Sequence, residues 1–310
     1  MTYIVTGATG FIGTALLKYL VSNNHNVYAI CRDKNKFKEK YHNYSNLTII
    51  ECDLDNYDKL KLDITHADIF INLAWGGITK DDRNNTEVQS LNIKYSLNAI
   101  SVAKEIGCSV FVEAGSQAEY GIVSSVITEN TNCNPFTEYG KAKLAIKEHA
   151  WSYSEKLNIK YIHLRIFSVY GENDHEWSMI PNCALKLIKG DALEMSMCNQ
   201  MWNFLYVDDC VKQIALLSEY ANNNSDFKCE IFNIASDDTR ILKSYIEEMK
   251  VLSGSKSIIK YGAINQDKIV SLTPCTEKTK SAIGFISKVS FKEGFTKIIN
   301  SIYEREMYTL

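Results

Sequence analysis

Proline, arginine and long apolar runs are all scarce in this chain. Three Pro residues (135, 181 and 274) are scattered over 310 residues, and no low-complexity linker or internal repeat separates them. No apolar run approaches the roughly 18–20 residues that a membrane-spanning helix needs, so no membrane segment is expected. Charge of one sign is missing as well. The formal net charge is -3, which gives no electrostatic footprint for nucleic acid. Nine Cys residues are present, an odd number, with no C-x-x-C spacing among them. That pattern fits reduced thiols in a cytoplasm, and neither a disulfide framework nor a metal site is expected. The first residues show no basic stretch followed by an apolar core and a small-residue cleavage site, so no signal peptide is expected. Only five of the 34 basic residues are Arg (32, 83, 165, 240 and 305). Arg is the better fork for phosphate, so each of the five is a candidate contact.

What is present is alternation. The runs at 2–7, 26–31, 46–53, 67–75, 108–116 and 159–167 read as strands. Helical spacing fills 11–23, 86–107 and 136–158. Strand–helix alternation of this kind predicts an α/β fold, a doubly wound parallel sheet with helices on both faces. After about residue 168 the regularity breaks. Residues 171–182 read as loop, 204–220 as a short strand into a helix, and 230–235 as one more strand; 243–252 and 289–304 read as helices. The expected organisation is a dinucleotide-binding domain over 1–168, its sheet completed by about 204–235. A smaller interleaved substrate lobe follows, made of 169–203 and 236–310.

The first strand runs into TGATGFIG (6–13), with Gly7, Gly10 and Gly13 three apart and a helix directly after. Such glycines permit a tight turn and close backbone approach to a pyrophosphate, while the helix N-terminus offers free N–H groups. Strand, glycine turn and helix in that order predict a dinucleotide loop. An acid at the end of the second strand would bind a ribose 2′-OH and select NAD(H). Here that slot is Cys31, followed by Arg32 and Asp33. A guanidinium there pairs with a 2′-phosphate, so NADP(H) is favoured and NAD(H) is the alternative. Asp53, at the end of the third strand, is placed to reach the adenine amino group.

Tyr139 and Lys143, in TEYGKAK (137–143), stand i and i+4 on a helix and share one face. An ammonium beside a phenol favours phenolate, which turns Tyr139 into a proton donor and acceptor for a C–OH group. Ser116, at the exit of the preceding strand, can hold the same oxygen in line.

With these residues in view, the chain resembles the extended short-chain dehydrogenase/reductases of the sugar-nucleotide epimerase/dehydratase group. TGATGFIG, CDL (52–54), NLAW (72–75), Asn92 in LNIKY, GSQAEYG (115–121), YGKAK, LRIFSVYG (164–171), FLYVDD (204–209) and FNIA (232–235) follow one another in the family's order. The resemblance implies a Rossmann domain for NAD(P) and a C-terminal lobe for a nucleotide-diphosphate sugar. It implies Ser116, Tyr139 and Lys143 as the catalytic triad, and Phe11, Ile12, Leu54, Leu73 and Ala74 beside the glycines and Asp53 at the cofactor. It also implies a homodimer through 86–107 and 136–158. Arg165 is expected to be structural, and His175 and Trp177 lie in the loop that substrate would pass.

Three departures narrow the chemistry. Family members that dehydrate sugars carry an Asp-Glu pair directly after this Ser or Thr; here the pair is Gln117 and Ala118, leaving Gln117 to bind substrate hydroxyls. Glu119 is one residue further on, and on a strand-like segment that shift turns it to the other face. The Arg that often grips the substrate diphosphate is replaced by Trp202, which can stack on a sugar or base. The usual Asn in the R-x-F-N-x-Y-G segment is Ser168. Arg240 is the candidate to replace the lost phosphate contact. These changes resemble the NADPH-dependent 4-keto-reductases of deoxysugar nucleotides, including the CDP-abequose synthase type; an NAD-dependent 4-epimerase or C4-dehydrogenase is the alternative, and a non-catalytic NADP sensor a third. Neither Gln117 nor Ala118 exchanges a proton near neutral pH. No 4,6-dehydratase activity is therefore expected on CDP-, GDP-, dTDP- or UDP-linked parent sugars supplied with NAD(P)+, and a 4-keto-6-deoxy product in that assay would overturn this reading.

Overall fold

The computed structural model describes residues 1–35, 37, 44–77, 79, 81–265 and 268–307, with 306 and 307 as backbone only. Among the described residues twelve strands are formed: β1 Thr2–Thr6, β2 Asn26–Cys31, β3 Leu47–Glu51, β4 Ile69–Asn72, β5 Val110–Ser116, β6 Lys160–Ile166, β7 Ser168–Tyr170, β8 Leu193–Met195, β9 Met201–Tyr206, β10 Cys229–Ile234, β11 Thr239–Ile241 and β12 Ile259–Tyr261. The helices are α1 Phe11–Ser22, α2 Leu60–Asp63, α3 Thr86–Ile106, α4 Glu138–Leu157, α5 Met179–Lys189, α6 Val207–Asn223, α7 Leu242–Leu252, α8 Glu277–Ile283 and α9 Phe291–Met307. None among the described residues is long and apolar enough to cross a membrane.

Seven strands form one parallel sheet in the order β3-β2-β1-β4-β5-β6-β10. The strands are apolar on both sides because helices cover both faces. Tyr3, Val5, Ile69, Ile71, Val110 and Val112 pack into the core on the α1 and α6 face. Their neighbours Ile4, Phe70 and Phe111 point the other way, into the core under α3 and α4. The long helices have clear stops and starts. Asn85 accepts hydrogen bonds from the Glu87 and Val88 N–H groups at the start of α3, and Thr137 accepts from Gly140 at the start of α4. The strand order reverses between β1 and β4, which opens a crevice at the carboxyl ends of the strands.

The carboxyl-terminal region is woven into this frame. Within 204–235, β10 joins the large sheet beside β6, whereas β9 does not. β9 pairs with β7 and β11 in a separate three-stranded sheet. Sequence periodicity did not show β7, β8, β11 and β12, which are three residues each and too short to display alternation. Helix α5 begins inside the stretch read as loop; Pro181 sits in its first turn, where a missing N–H costs nothing.

Between the sheet and α4 lies a buried ionic layer. GSQAEYG does not continue as a strand after Ser116; it tightens into a 3-10 turn, Gln117–Glu119. Glu119 is fully buried. Its Oε1 lies 2.9 Å from His163 Nε2 and its Oε2 accepts from Arg165 Nε at 2.9 Å. Tyr161 completes the row, its hydroxyl 2.9 Å from His163 Nδ1. Arg165 is thus structural, as expected. Burial works to raise the Glu119 carboxyl, but interaction with His163 and Arg165 outweighs it and holds the group down to about 2. The unfolded value is about 4.3, so the folded pKa is the lower one. The stabilisation is then present in full above the unfolded pKa and disappears as pH falls from about 5 toward 2. Urea denaturation across that range should show the loss in the wild type and a shallower slope in Glu119→Gln. At neutral pH, Glu119→Ala should cost about 3–5 kcal/mol, because it leaves a buried cation unpaired.

Candidate active site

Gly7 and Gly13 shape the nucleotide end of the crevice. Gly7 has φ +66°, and a Cβ there would lie 2.7 Å from the backbone N of Ala74. A Cβ at Gly13 would lie 2.1 Å from the Gly7 carbonyl oxygen. The two sites admit no side chain, so the loop packs directly on the backbone leaving β4. Helix α1 starts at Phe11, with no side-chain cap and no acid in its first turn. Its first N–H groups face the cleft free of competing carboxylates, the arrangement that a pyrophosphate fits. Thr6 braces the same corner: its Oγ1 donates to Asn72 Oδ1 at 2.6 Å and accepts from Ala74 N–H at 3.3 Å. Asn72 donates in turn to the buried Glu113 at 3.1 Å, and burial pushes that carboxyl up.

Arg32 follows β2 directly and is exposed; among the described residues no ion pair holds it. Asp53 is exposed just beyond β3 and accepts from Asn56 Nδ2 at 2.5 Å, and Leu54 opens the next turn. These three lie at the rim, outside the cleft lining. Leu73 lines the cleft, while Ala74 contributes its backbone contacts to Thr6 and Gly7.

A cleft of about 590 Å³ opens between the sheet and the carboxyl-terminal lobe. Ser116, Gln117, Tyr139, Lys143, Trp202 and the glycine loop with Phe11 and Ile12 all line it. Ser116 ends β5, almost buried, and its Oγ accepts from Ala118 N–H at 3.2 Å. Its own N–H donates to Glu119 Oε1 at 2.8 Å, closing a capping box. Glu119 therefore faces away from the cleft, as expected, but through a helical turn and not through strand alternation. Tyr139 and Lys143 sit one turn apart on α4. The helix docks tightly on the serine turn at Gly140, where a Cβ would lie 2.6 Å from the Ala118 carbonyl oxygen. Lys143 is buried; its ammonium donates to the Ala114 carbonyl and lies 3.5 Å from the centroid of the Trp75 ring.

Arg240 is adjacent to the cleft without lining it. It pairs with Trp202 across β11 and β9. Its guanidinium is engaged by Asp238 at 2.9 Å and Glu248 at 2.8 Å and lies over the Tyr245 ring. His175 and Trp177 line the cleft, stacked on one another with ring centroids 4.8 Å apart. Among the lining residues, Trp75 escaped the sequence reading as a site residue, and Arg83 entered it only as one of five candidate phosphate contacts. Trp75 meets the Tyr139 ring edge-on at 5.4 Å, and the Arg83 guanidinium lies 4.4 Å above the Tyr139 ring. Trp75 ends the NLAW motif, so its place just past a central strand was the available signal.

Relatives of known sequence share this whole length. The chain is 26% identical over 312 residues to CDP-abequose synthase of Salmonella typhimurium, covering 96% of this chain and 97% of that one. It is 26% identical over 330 residues to the uncharacterized UDP-glucose epimerase YtcB of Bacillus subtilis, covering 99% and 100%. The structure of UDP-glucuronic acid 4-epimerase from Bacillus cereus, in complex with UDP-glucuronic acid and NAD, superposes with a TM-score of 0.84 at 20% identity over 98% of this chain and 100% of that one. A model of the NAD dependent epimerase/dehydratase family matches residues 3–235. The chain belongs to that family, as an extended short-chain dehydrogenase/reductase.

Proposed function

We propose that this enzyme reduces the C4 ketone of a nucleotide-diphosphate sugar with NADPH. The observation that carries the reading is a cleft that gathers Ser116, Tyr139 and Lys143 beside a glycine cradle, with neutral Gln117 in its lining and Ala118 next in the chain. Bound NADPH supplies the hydride. Tyr139 delivers the proton to the oxygen that becomes the alcohol, and Ser116 fixes that oxygen by a hydrogen bond. Lys143 keeps positive charge near the phenol and orients the cofactor. Gln117 and Trp202 contact the sugar, Trp202 by stacking. The CDP-abequose synthase relative supports a reductase. A second reading, an epimerase with its own NAD(H), draws on the epimerase relatives and on neighbours solved with NAD. In neither reading does Arg240 reach the diphosphate unless it leaves Asp238 and Glu248.

Cofactor stoichiometry separates the two. A pre-formed 4-keto sugar nucleotide should be reduced with one NADPH consumed per product and, with deuterated NADPH, the label at C4. Interconversion of C4 epimers without net NADPH use would establish the epimerase instead. Tyr139→Phe should lower turnover by about two orders of magnitude or more, the worth of a positioned general acid, with cofactor binding retained; near-normal turnover would sink the proton role.

Cofactor choice rests on Arg32. Arg32→Ala should weaken NADPH binding by about 1.5–3 kcal/mol, the value of a charged hydrogen bond, and leave NADH nearly unchanged. Calorimetric titration of both cofactors into both proteins decides it, and an equal loss for the two refutes the assignment.

A further inference from the structure

We propose that Trp75 is a positioning residue for the catalytic lysine, its indole face holding the Lys143 ammonium beside Tyr139 before any cofactor arrives. The proposal rests on the reading of Lys143 as a cofactor-orienting residue, but its first test does not.

Lys143 is 3% exposed. An ammonium taken out of water needs a partner charge or a full set of acceptors. Among the described residues no carboxylate lies within ion-pair distance of it. Its partners are the Ala114 carbonyl and the Trp75 ring, whose centroid is 3.5 Å from Nζ. Trp is the strongest aromatic partner for a cation, and the attraction grows when the pair is desolvated. The indole thus supplies the direct contact that a paired carboxylate would, while the buried Glu113 acts on the ammonium only from beyond ion-pair distance.

The ring is itself held. Its Nε1–H donates to Gln89 Oε1 at 3.0 Å. Gln89 is 1% exposed and its amide donates to the carbonyls of Gly77 and Asp82, both at 2.9 Å. The indole plane is therefore fixed from α3. The same ring meets Tyr139 edge-on, with centroids 5.4 Å apart and planes at 77°. The Lys143 Nζ consequently stays 5.8 Å from the Tyr139 ring centroid. One side chain sets the height of the ammonium and the orientation of the phenol, which are the two quantities that the proton transfer depends on.

Proton–carbon NMR of the full-length, cofactor-free protein labelled at lysine Cε reads the contact directly. The Lys143 methylene signal, assigned by its absence from Lys143→Met, should be displaced upfield by the indole ring current. The displacement should be lost in Trp75→Leu and partly kept in Trp75→Phe, which retains an aromatic face. NADPH should then bind about tenfold more weakly in Trp75→Leu and within about threefold of wild type in Trp75→Phe, in keeping with loss of a desolvated cation–π contact. Fluorinated tryptophan, which keeps the shape and drains the ring of charge, should weaken binding in step with the number of fluorines and guards against a Leu variant that fails to fold. An undisplaced signal in the wild type, or one that survives Trp75→Leu, overturns the contact. Equal NADPH binding by the Phe, Leu and fluorinated forms overturns the positioning role. A displaced signal in a protein that binds neither NADPH nor NADH would sink the functional reading while supporting the Trp75–Lys143 clamp.

Discussion

One buried carboxylate, Glu119, ties the turn at the end of β5 to strand β6. It accepts from the Ser116 N–H on one side and from His163 and Arg165 of β6 on the other. The chain of contacts continues outward. Arg165 donates to the Glu129 carbonyl, and Glu129 accepts from the Asn233 N–H of β10. Asn233 accepts from the Tyr120 hydroxyl and donates to the carbonyls of Ile127 and Cys275. The serine turn, two strands and a loop of the carboxyl-terminal region thus share one polar network. Such networks are expensive when incomplete and specify a single geometry when satisfied. The same residue that would look like a displaced catalytic acid in the sequence is occupied entirely in this role.

Neutrality at 117 and 118 then acquires a structural companion. Every carboxylate close to Ser116 in the chain is either absent or committed to the interior. Glu113 binds Asn72 and Ser96 on the buried side of β5. Glu119 is held by His163 and Arg165 on the same side. Of the cleft lining, Lys143, Arg83, Gln117 and Ser116 are positive or neutral, and its carboxylate, Asp174, accepts from the His175 N–H and the Ser178 hydroxyl. The proton and hydride transfer proposed above asks for no carboxylate beside Ser116.

The parallel sheet, the glycine cradle and the Tyr139–Lys143 pairing were legible because each leaves a mark at short range: continuous apolar strands, a three-residue glycine period, an i to i+4 spacing. The reading of Glu119 reached the right face by the wrong geometry, since nothing local distinguishes a strand end from a 3-10 turn. The small sheets were hidden because their strands are too short for a period. Arg240 shows the limit most clearly. Its position after the last sheet strand can be read from the chain, whereas its engagement by Asp238 and Glu248 depends on the turn before β11 and on how α7, which carries Glu248, packs beside that strand. Trp75, read as the end of a strand that stops at Asn72, and Arg83 reach Tyr139 from the connection between β4 and α3, whose path no local pattern marks.

The bare contact between Gly140 and the Ala118 carbonyl makes the serine turn and the tyrosine helix a single mechanical part. With no side chain between them, neither can shift without the other, and the span from Ser116 to Tyr139 is set by backbone thickness. Opening of one segment then entails opening of the other. Amide protons at the end of β5 and in the first turn of α4 should accordingly exchange through one shared opening, and the serine turn and the tyrosine helix should be lost together on heating.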